Sequence, residues 1–166
     1  MNRKVLRVLF VCTGNSCRSP MAEGILESLL QKRGLKGVVV ESAGTMAPVG
    51  MSPTNLAKLT TLERGIDISS HRARLLTHQM VEEADLILVM ERAHKQFIKS
   101  LLPSVKSEVF LLKAYGRKEE EDAEVADPIG GDLEVYRACY EELEEEIRRI
   151  LPEIVKLIGE NETQSQ

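Results

Sequence analysis

The segment Cys12-Thr13-Gly14-Asn15-Ser16-Cys17-Arg18-Ser19-Pro20 brings a thiol, a guanidinium and a glycine-bearing turn together within one short stretch. A loop that wraps into a helix N-terminus turns its backbone N–H groups inward and forms a cradle for an anion, which the helix dipole deepens. Phosphate is a natural guest for such a cradle. Arg18 at the rim offers a planar fork that can hold two phosphate oxygens at once. Cys12 lies at the base, where those donors also favour a thiolate; helix N-termini and nearby cations lower a cysteine pKa from about 8.5 to between about 3.5 and 7.5. Full ionisation at pH 7 gains only about thirtyfold, and weaker intrinsic nucleophilicity offsets much of it. The larger gains must come from holding phosphorus in line with sulfur and from donors aimed at its equatorial oxygens. Displacing a leaving group from phosphorus also needs an acid, and hydrolysing the resulting adduct needs a base. Asp127, in the turn cluster Asp127-Pro128-Ile129-Gly130-Gly131, is the candidate for both.

A Cys and an Arg at this separation co-occur by chance in many proteins, so the argument rests on the elements around them. Val5 to Val11 is a nearly continuous apolar run, as in a strand buried on both faces of a parallel sheet. Ser19 as N-cap and Pro20 at the first helical position open a helix, with Met21, Ile25, Leu29 and Leu30 on one face and Gly34 at its end. The alternation repeats. Gly37 to Glu41 predicts a strand, and Ser52 to Arg64 a helix opened by Ser52-Pro53 and stopped by Gly65. Asp85 to Met90 predicts a strand, Glu91 to Leu102 a helix, Val109 to Leu112 a fourth strand, and Leu133 to about Ile158 the last helix. Such alternation implies an α/β fold, a parallel sheet with helices on both faces. Its ligands bind at the carboxyl ends of the strands, where the Cys12 to Arg18 loop lies.

The last helix carries Leu133, Tyr136, Tyr140, Leu143, Ile147, Ile150, Ile154 and Leu157 at spacings of three and four. A coiled-coil seam would show this stripe, but so does a helix docked on its own sheet, which Pro152 favours. The glutamates from Glu141 to Glu146 are then a solvated face, and Asn161 to Gln166 a frayed end. One domain over residues 1–158 and a flexible tail over 159–166 are expected.

Composition narrows the function classes. The 166 residues carry a net charge of −4, which does not favour nucleic acid or an anionic membrane as a partner. With 43% hydrophobic and 29% charged residues the chain is globular rather than disordered. Neither a signal peptide nor a spanning helix is read, and a cytoplasmic monomer is expected. Three cysteines with no CxxC make neither a disulfide scaffold nor a zinc site. His71 and His78 lack partners at ligand spacing, so no metal or cofactor is expected, and His94, early in an exposed-looking helix, invites no special reading.

CxGNxCRSP after the first strand, Ser42-Ala43-Gly44-Thr45 after the second, Gly65-Ile66-Asp67-Ile68-Ser69 with His71 and Arg74, and Asp127-Pro128 resemble the low-molecular-weight protein-tyrosine phosphatases. The resemblance covers nearly the whole chain. It implies that family's three-layer sandwich, with a four-stranded parallel sheet, and a two-step, metal-free hydrolysis of phosphorylated protein. Carried across, Cys12 is the nucleophile, Arg18 binds the phosphate and the transition state, and Asp127 is acid and then base. Thr13, Gly14, Asn15, Ser16, Cys17 and Ser19 surround the substrate, with Ser19 bonded to the Cys12 sulfur and Asn15 braced by Ser42 and His71.

Two departures bear on substrate. Members acting on phosphotyrosine often have Leu and Ile where this chain has Thr13 and Ser16, and aromatic residues where it has Ile129-Gly130-Gly131. Replacing an Ile wall by Ser removes up to about 2 kcal/mol of apolar contact with a ring. CTGNSCRSP is closer to the bacterial protein-arginine phosphatases of the family, which resemble it through CTGNTCRSP and Asp-Pro-Phe-Gly-Gly. Phosphoarginine is therefore the favoured substrate and phosphotyrosine the alternative. An arsenate reductase would need resolving cysteines between Thr77 and Val109, where there are none, and a non-catalytic phosphate-binding module is a further alternative. Cys17 is either a packing residue or the partner of a reversible disulfide with Cys12, and Cys139 is helix packing.

Overall fold

The computed structural model describes residues 4–105, 108–117 and 123–164. Four strands, β1 (Leu6–Cys12), β2 (Val38–Gly44), β3 (Leu86–Val89) and β4 (Glu108–Leu111), form one sheet in the order β2-β1-β3-β4, with every neighbouring pair parallel. Between them and after them run α1 (Arg18–Lys32), α2 (Asn55–Glu63), α3 (His78–Glu83), α4 (Arg92–Leu101) and α5 (Leu133–Gln164). Successive strand residues face opposite ways, so β1 and β3 supply two cores at once. Val8, Phe10, Leu86 and Leu88 pack with Met21 and Ile25 of α1 and Leu143 and Ile147 of α5. Leu9, Val11, Ile87 and Val89 face the other layer, with Val81 of α3 and Ile98 of α4. That is the expected three-layer α/β sandwich. From β1 the chain moves outward to β2 and then back across to β3, so the crevice at the carboxyl ends of β1 and β3 is the topological switch point.

Several elements differ from their sequence expectations, each for a local reason. β2 extends beyond Glu41 to Gly44, pairing Phe10 with Ser42 and Cys12 with Gly44, which sets Ser42 beside the loop. α1 begins at Arg18 with Cys17 in the capping position and no side-chain cap, because the Ser19 hydroxyl is engaged elsewhere. α2 begins at Asn55 rather than Ser52: Thr54 accepts from the amide of Ala57 at 3.3 Å, and Pro53 disfavours helical backbone at Ser52. The short α3, capped by Thr77, escaped the sequence reading because its single buried apolar residue, Val81, gives no period.

α5 runs on past Ile158, so residues 159–164, expected as a flexible tail, are helical, and Asn161 is buried with its amide donating to the Lys4 carbonyl at 2.7 Å. Its apolar stripe docks on α1 and the sheet, and Cys139 sits in that core. Glu146, expected on the solvated face, is buried and accepts from Arg149 Nε at 2.7 Å, while Arg149 also caps the carbonyls of Tyr115 and Leu112 after β4. The acidic run Glu119 to Asp122 lies outside the described residues. No helix of the described residues is long and apolar enough to cross a membrane.

Candidate functional site

The loop between β1 and α1 is pinned from outside before it makes any contact of its own. Thr45 and Met46 amides donate to the carbonyls of Cys12 and Thr13 at 3.0 and 2.9 Å, and the Thr54 amide donates to that of Ser16 at 3.0 Å. Gly44 permits this approach: a Cβ there would lie 2.4 Å from the Thr13 carbonyl oxygen. Asn15 holds a left-handed backbone, φ 52°, which asparagine tolerates better than most residues.

The fully buried Asn15 side chain fixes the polarity of the network around it. Its Oδ1 accepts from the Arg74 amide at 2.8 Å, so Nδ2 must be the atom that donates to Ser19 Oγ at 2.8 Å and Ser42 Oγ at 2.9 Å. Ser42 then donates to Glu23 Oε2 at 3.2 Å, and His71 joins the same brace, its Nε2 3.1 Å from the Asn15 carbonyl and its Nδ1 3.4 Å from Glu23. Ser19, already an acceptor, keeps its proton for the Cys12 sulfur 2.9 Å away, and the Asn15 amide points at the same sulfur from 3.3 Å. Both are arranged for a sulfur that accepts, that is, for a thiolate. Burial nonetheless pushes the Cys12 thiol up, and outweighs the pull of Ser19, Arg18 and the amides in the opposite direction. Burial thus works against the lowering that the sequence leads one to expect, while Ser19, Arg18 and the amides work for it.

Arg18 is 1% exposed, and its guanidinium is held by one corner. NH1 donates to Glu91 Oε2 and to the Val125 carbonyl, both at 2.8 Å, which leaves the other edge for a guest. Asp127 Oδ2 lies 3.5 Å from NH2, while Oδ1 accepts from the Ile129 amide at 3.1 Å and so sets the carboxylate over the opening. Cys12, Thr13, Ser16, Arg18, Asp127 and Ile129 line a pocket of about 110 Å³, room enough for a phosphoryl group. The arrangement can bring an anion against sulfur, clamp its oxygens and keep a carboxyl group within reach.

Of the expected site residues, Gly14 and Cys17 also line this pocket; the Cys17 sulfur meets Tyr136 OH at 3.3 Å and Thr54 Oγ1 at 3.5 Å, and all three cysteines are free. Sequence reasoning missed Glu91, His94 and Val125. His94, expected on an exposed helix, is 3% exposed, with Nε2 2.9 Å from Thr13 Oγ1, and burial, helped by Arg18, holds its pKa below the ordinary imidazole value. Glu91 lies two residues beyond β3, and only the placing of β3 beside β1 brings it to the switch point. Among the described residues no group of His, Cys, Asp and Glu could hold a metal ion.

Comparison with known proteins agrees with this geometry. The family model described as low molecular weight phosphotyrosine protein phosphatase matches residues 7–161. A protein-arginine-phosphatase of Geobacillus stearothermophilus is 42% identical over 144 residues, covering 87% of this chain and 93% of the relative. Among solved structures, a low molecular weight protein tyrosine phosphatase from T. tengcongensis is 41% identical with a TM-score of 0.81, covering 89% of this chain and 99% of the other. A cysteine-to-serine mutant of YwlE arginine phosphatase, with a phosphorylated active-site serine, is 37% identical with a TM-score of 0.83, covering 91% and 97%.

Proposed function

Because the chain belongs to the low molecular weight phosphotyrosine protein phosphatase family, and so is a cysteine-based phosphoprotein hydrolase, we propose that it removes phosphate from protein arginine side chains through a phosphocysteine on Cys12. The single observation that carries the proposal is the pocket wall. Cys12, Arg18 and Asp127 meet there with Thr13 and Ser16, at the two positions where members acting on phosphotyrosine often carry Leu and Ile. The similarity to a protein-arginine-phosphatase points the same way.

Arg18, anchored through NH1, offers the edge that faces Asp127 to two phosphoryl oxygens, and the amides of the loop take up their developing charge. Cys12 passes its proton to an oxygen of the dianionic phosphoryl group as that group enters, to leave with the released phosphate, and Ser19 donates to the resulting sulfur anion. Sulfur then attacks phosphorus in line, the phosphorus–nitrogen bond breaks, and the Asp127 carboxyl passes its proton to the leaving guanidine nitrogen. Water attacks the phosphocysteine from the same side, Asp127 now taking its proton, and sulfur departs as the thiolate that Ser19, Asn15 and Arg18 stabilise. No step calls on a metal or cofactor. One observation favours phosphotyrosine instead: Ile129, exposed at the mouth, presents an apolar side chain to whatever enters.

The deciding experiment assays one preparation on matched phosphoarginine and phosphotyrosine peptides. A kcat/KM at least about tenfold higher for phosphoarginine is expected, equivalent to about 1.4 kcal/mol of transition-state discrimination; a strong tyrosine preference overturns the substrate. Cys12→Ser is expected to turn nothing over and to accumulate a phosphoserine, detected as one added phosphoryl mass. A fully active Cys12→Ser enzyme overturns the chemistry as well.

A further inference from the structure

We propose that His94 is a positioning residue for the phosphate pocket: it donates to Thr13 Oγ1 and so turns the Thr13 hydroxyl proton toward the bound phosphoryl group. This rests on the reading that the pocket takes a phosphoryl group, and adds a residue on the far side of the crevice to its machinery.

The argument is one of proton placement. At the N-terminus of α4, Glu91 and His94 form a reciprocal capping box, in which the Glu91 amide donates to His94 Nδ1 at 3.1 Å. A backbone N–H can only donate, so Nδ1 carries no proton, and the neutral ring holds its hydrogen on Nε2. A doubly protonated ring would set one N–H against another. Nε2 therefore donates to Thr13 Oγ1, 2.9 Å away, with Glu91 Oε2 a more distant second acceptor at 3.5 Å. An oxygen that receives this bond must aim its own proton elsewhere. Among the described residues the Thr13 hydroxyl has no other partner, and Thr13 lies on the wall of the pocket. An anionic oxygen is the acceptor that arrives there. With the ring 3% exposed, water has little access to the imidazole side of this bond.

The same box carries Arg18 through the Glu91 carboxylate, so one helix start sets two walls of the pocket, a guanidinium through Glu91 and a hydroxyl through His94.

Two substitutions separate positioning from capping. His94→Asn keeps an acceptor near Nδ1 for the Glu91 amide but falls short of Thr13. His94→Gln reaches toward Thr13 with a donor but weakens the cap. With p-nitrophenyl phosphate as substrate and inorganic phosphate as inhibitor, His94→Asn is expected to lower kcat/KM about tenfold and weaken phosphate inhibition by a similar factor. His94→Gln restores most of that loss despite a lower Tm, and in a Thr13→Val background the His94→Asn change has almost no further effect. Equal losses in Asn and Gln variants, or an undiminished loss in the Thr13→Val background, overturn the proposal. Should both His94 variants fail to fold, Thr13→Val against Thr13→Ser still decides: a Val variant as active as Ser overturns it, and a tenfold loss confined to Val supports it. An active Cys12→Ser enzyme would instead remove the phosphoryl-transfer reading itself.

Discussion

Two hollows open on either side of the first turns of α1, and the larger is the less equipped for chemistry. Behind the helix, Glu23, Glu27, Gln31, Asp67 and His71 help line a cavity of about 430 Å³. In front, the pocket at Cys12 measures about 110 Å³. The two share a partition, since Glu23 and His71 hold Ser42 and the Asn15 carbonyl from the cavity side while Asn15 holds Ser19 on the pocket side. They differ in the sign of what converges. The pocket collects a buried guanidinium and inward amides, whereas the cavity collects carboxylates. An anion site is made by donors that cannot turn away, and volume has little to do with it.

The sharpest break in that comparison is a matched pair of substitutions. Arg18→Lys keeps the charge but loses the fork and the corner anchored by Glu91 and Val125, and kcat/KM is expected to fall by about 10³ or more. Glu27→Gln, on the cavity wall, is expected to leave steady-state activity within about twofold. Comparable losses in the two would mean that the cavity belongs to the reaction. Asp127→Asn comes next. The proton carrier is lost while the Ile129 amide keeps an acceptor at Oδ1, and kcat is expected to drop by about 10² to 10⁴ with little change in folding, as read by assay and far-UV circular dichroism.

Gly44→Ala attacks the partition itself. The added Cβ meets the Thr13 carbonyl at 2.4 Å and the Asn15 amide at 2.9 Å, both backbone atoms that cannot swing aside. Overpacking of this kind costs about 1–3 kcal/mol. Chemical denaturation should show that loss, and activity should fall about tenfold because the loop that moves carries the cradle. Unchanged activity would show that the loop is less tightly set than its hydrogen bonds imply.

How much of this was visible beforehand follows from where each contact originates. Cys12, Asn15, Arg18 and Ser19 lie in one contiguous loop after a buried strand, so their types and order already carried the chemistry. The central strands β1 and β3 were legible because strands buried on both faces are almost continuously apolar, while the edge strands β2 and β4 showed only as short apolar runs. Glu91 and His94 were not, since what matters about them is that β3 lies beside β1, a fact of strand order that periodicity does not encode. His94 looked exposed because its helix is polar on average; only the capping box turns it inward. The buried Glu146 escaped for the same reason: Arg149 stands three residues on along α5, but the pair is buried only because α5 lies against the end of β4, where Arg117 and the Leu112 and Tyr115 carbonyls join it. The expected tail was read from polar composition, which gave no hint that Asn161 would find the Lys4 carbonyl.

The smallest effect tests the cavity alone. Burial, reinforced by Glu23 one turn before it and opposed by His71, pushes the Glu27 carboxyl up to about 7 from an ordinary 4.5. A carboxyl raised on folding binds its proton more tightly in the folded chain than in the unfolded one, so increasing pH across that window favours unfolding. The stabilising contribution is complete below about 4.5 and is lost as the pH climbs through about 7. Glu27→Gln has no proton to lose and escapes the change. Melting temperatures of the two proteins should therefore lie close together near pH 4.5 and diverge toward pH 8, with the Gln variant the more stable there. The gap is expected to be modest, because the carboxyl is partly exposed and water screens the repulsion from Glu23. Curves that stay parallel across the range would mean that the carboxylates behind α1 are fully hydrated, and that the cavity is open solvent rather than a second electrostatic environment set against the pocket.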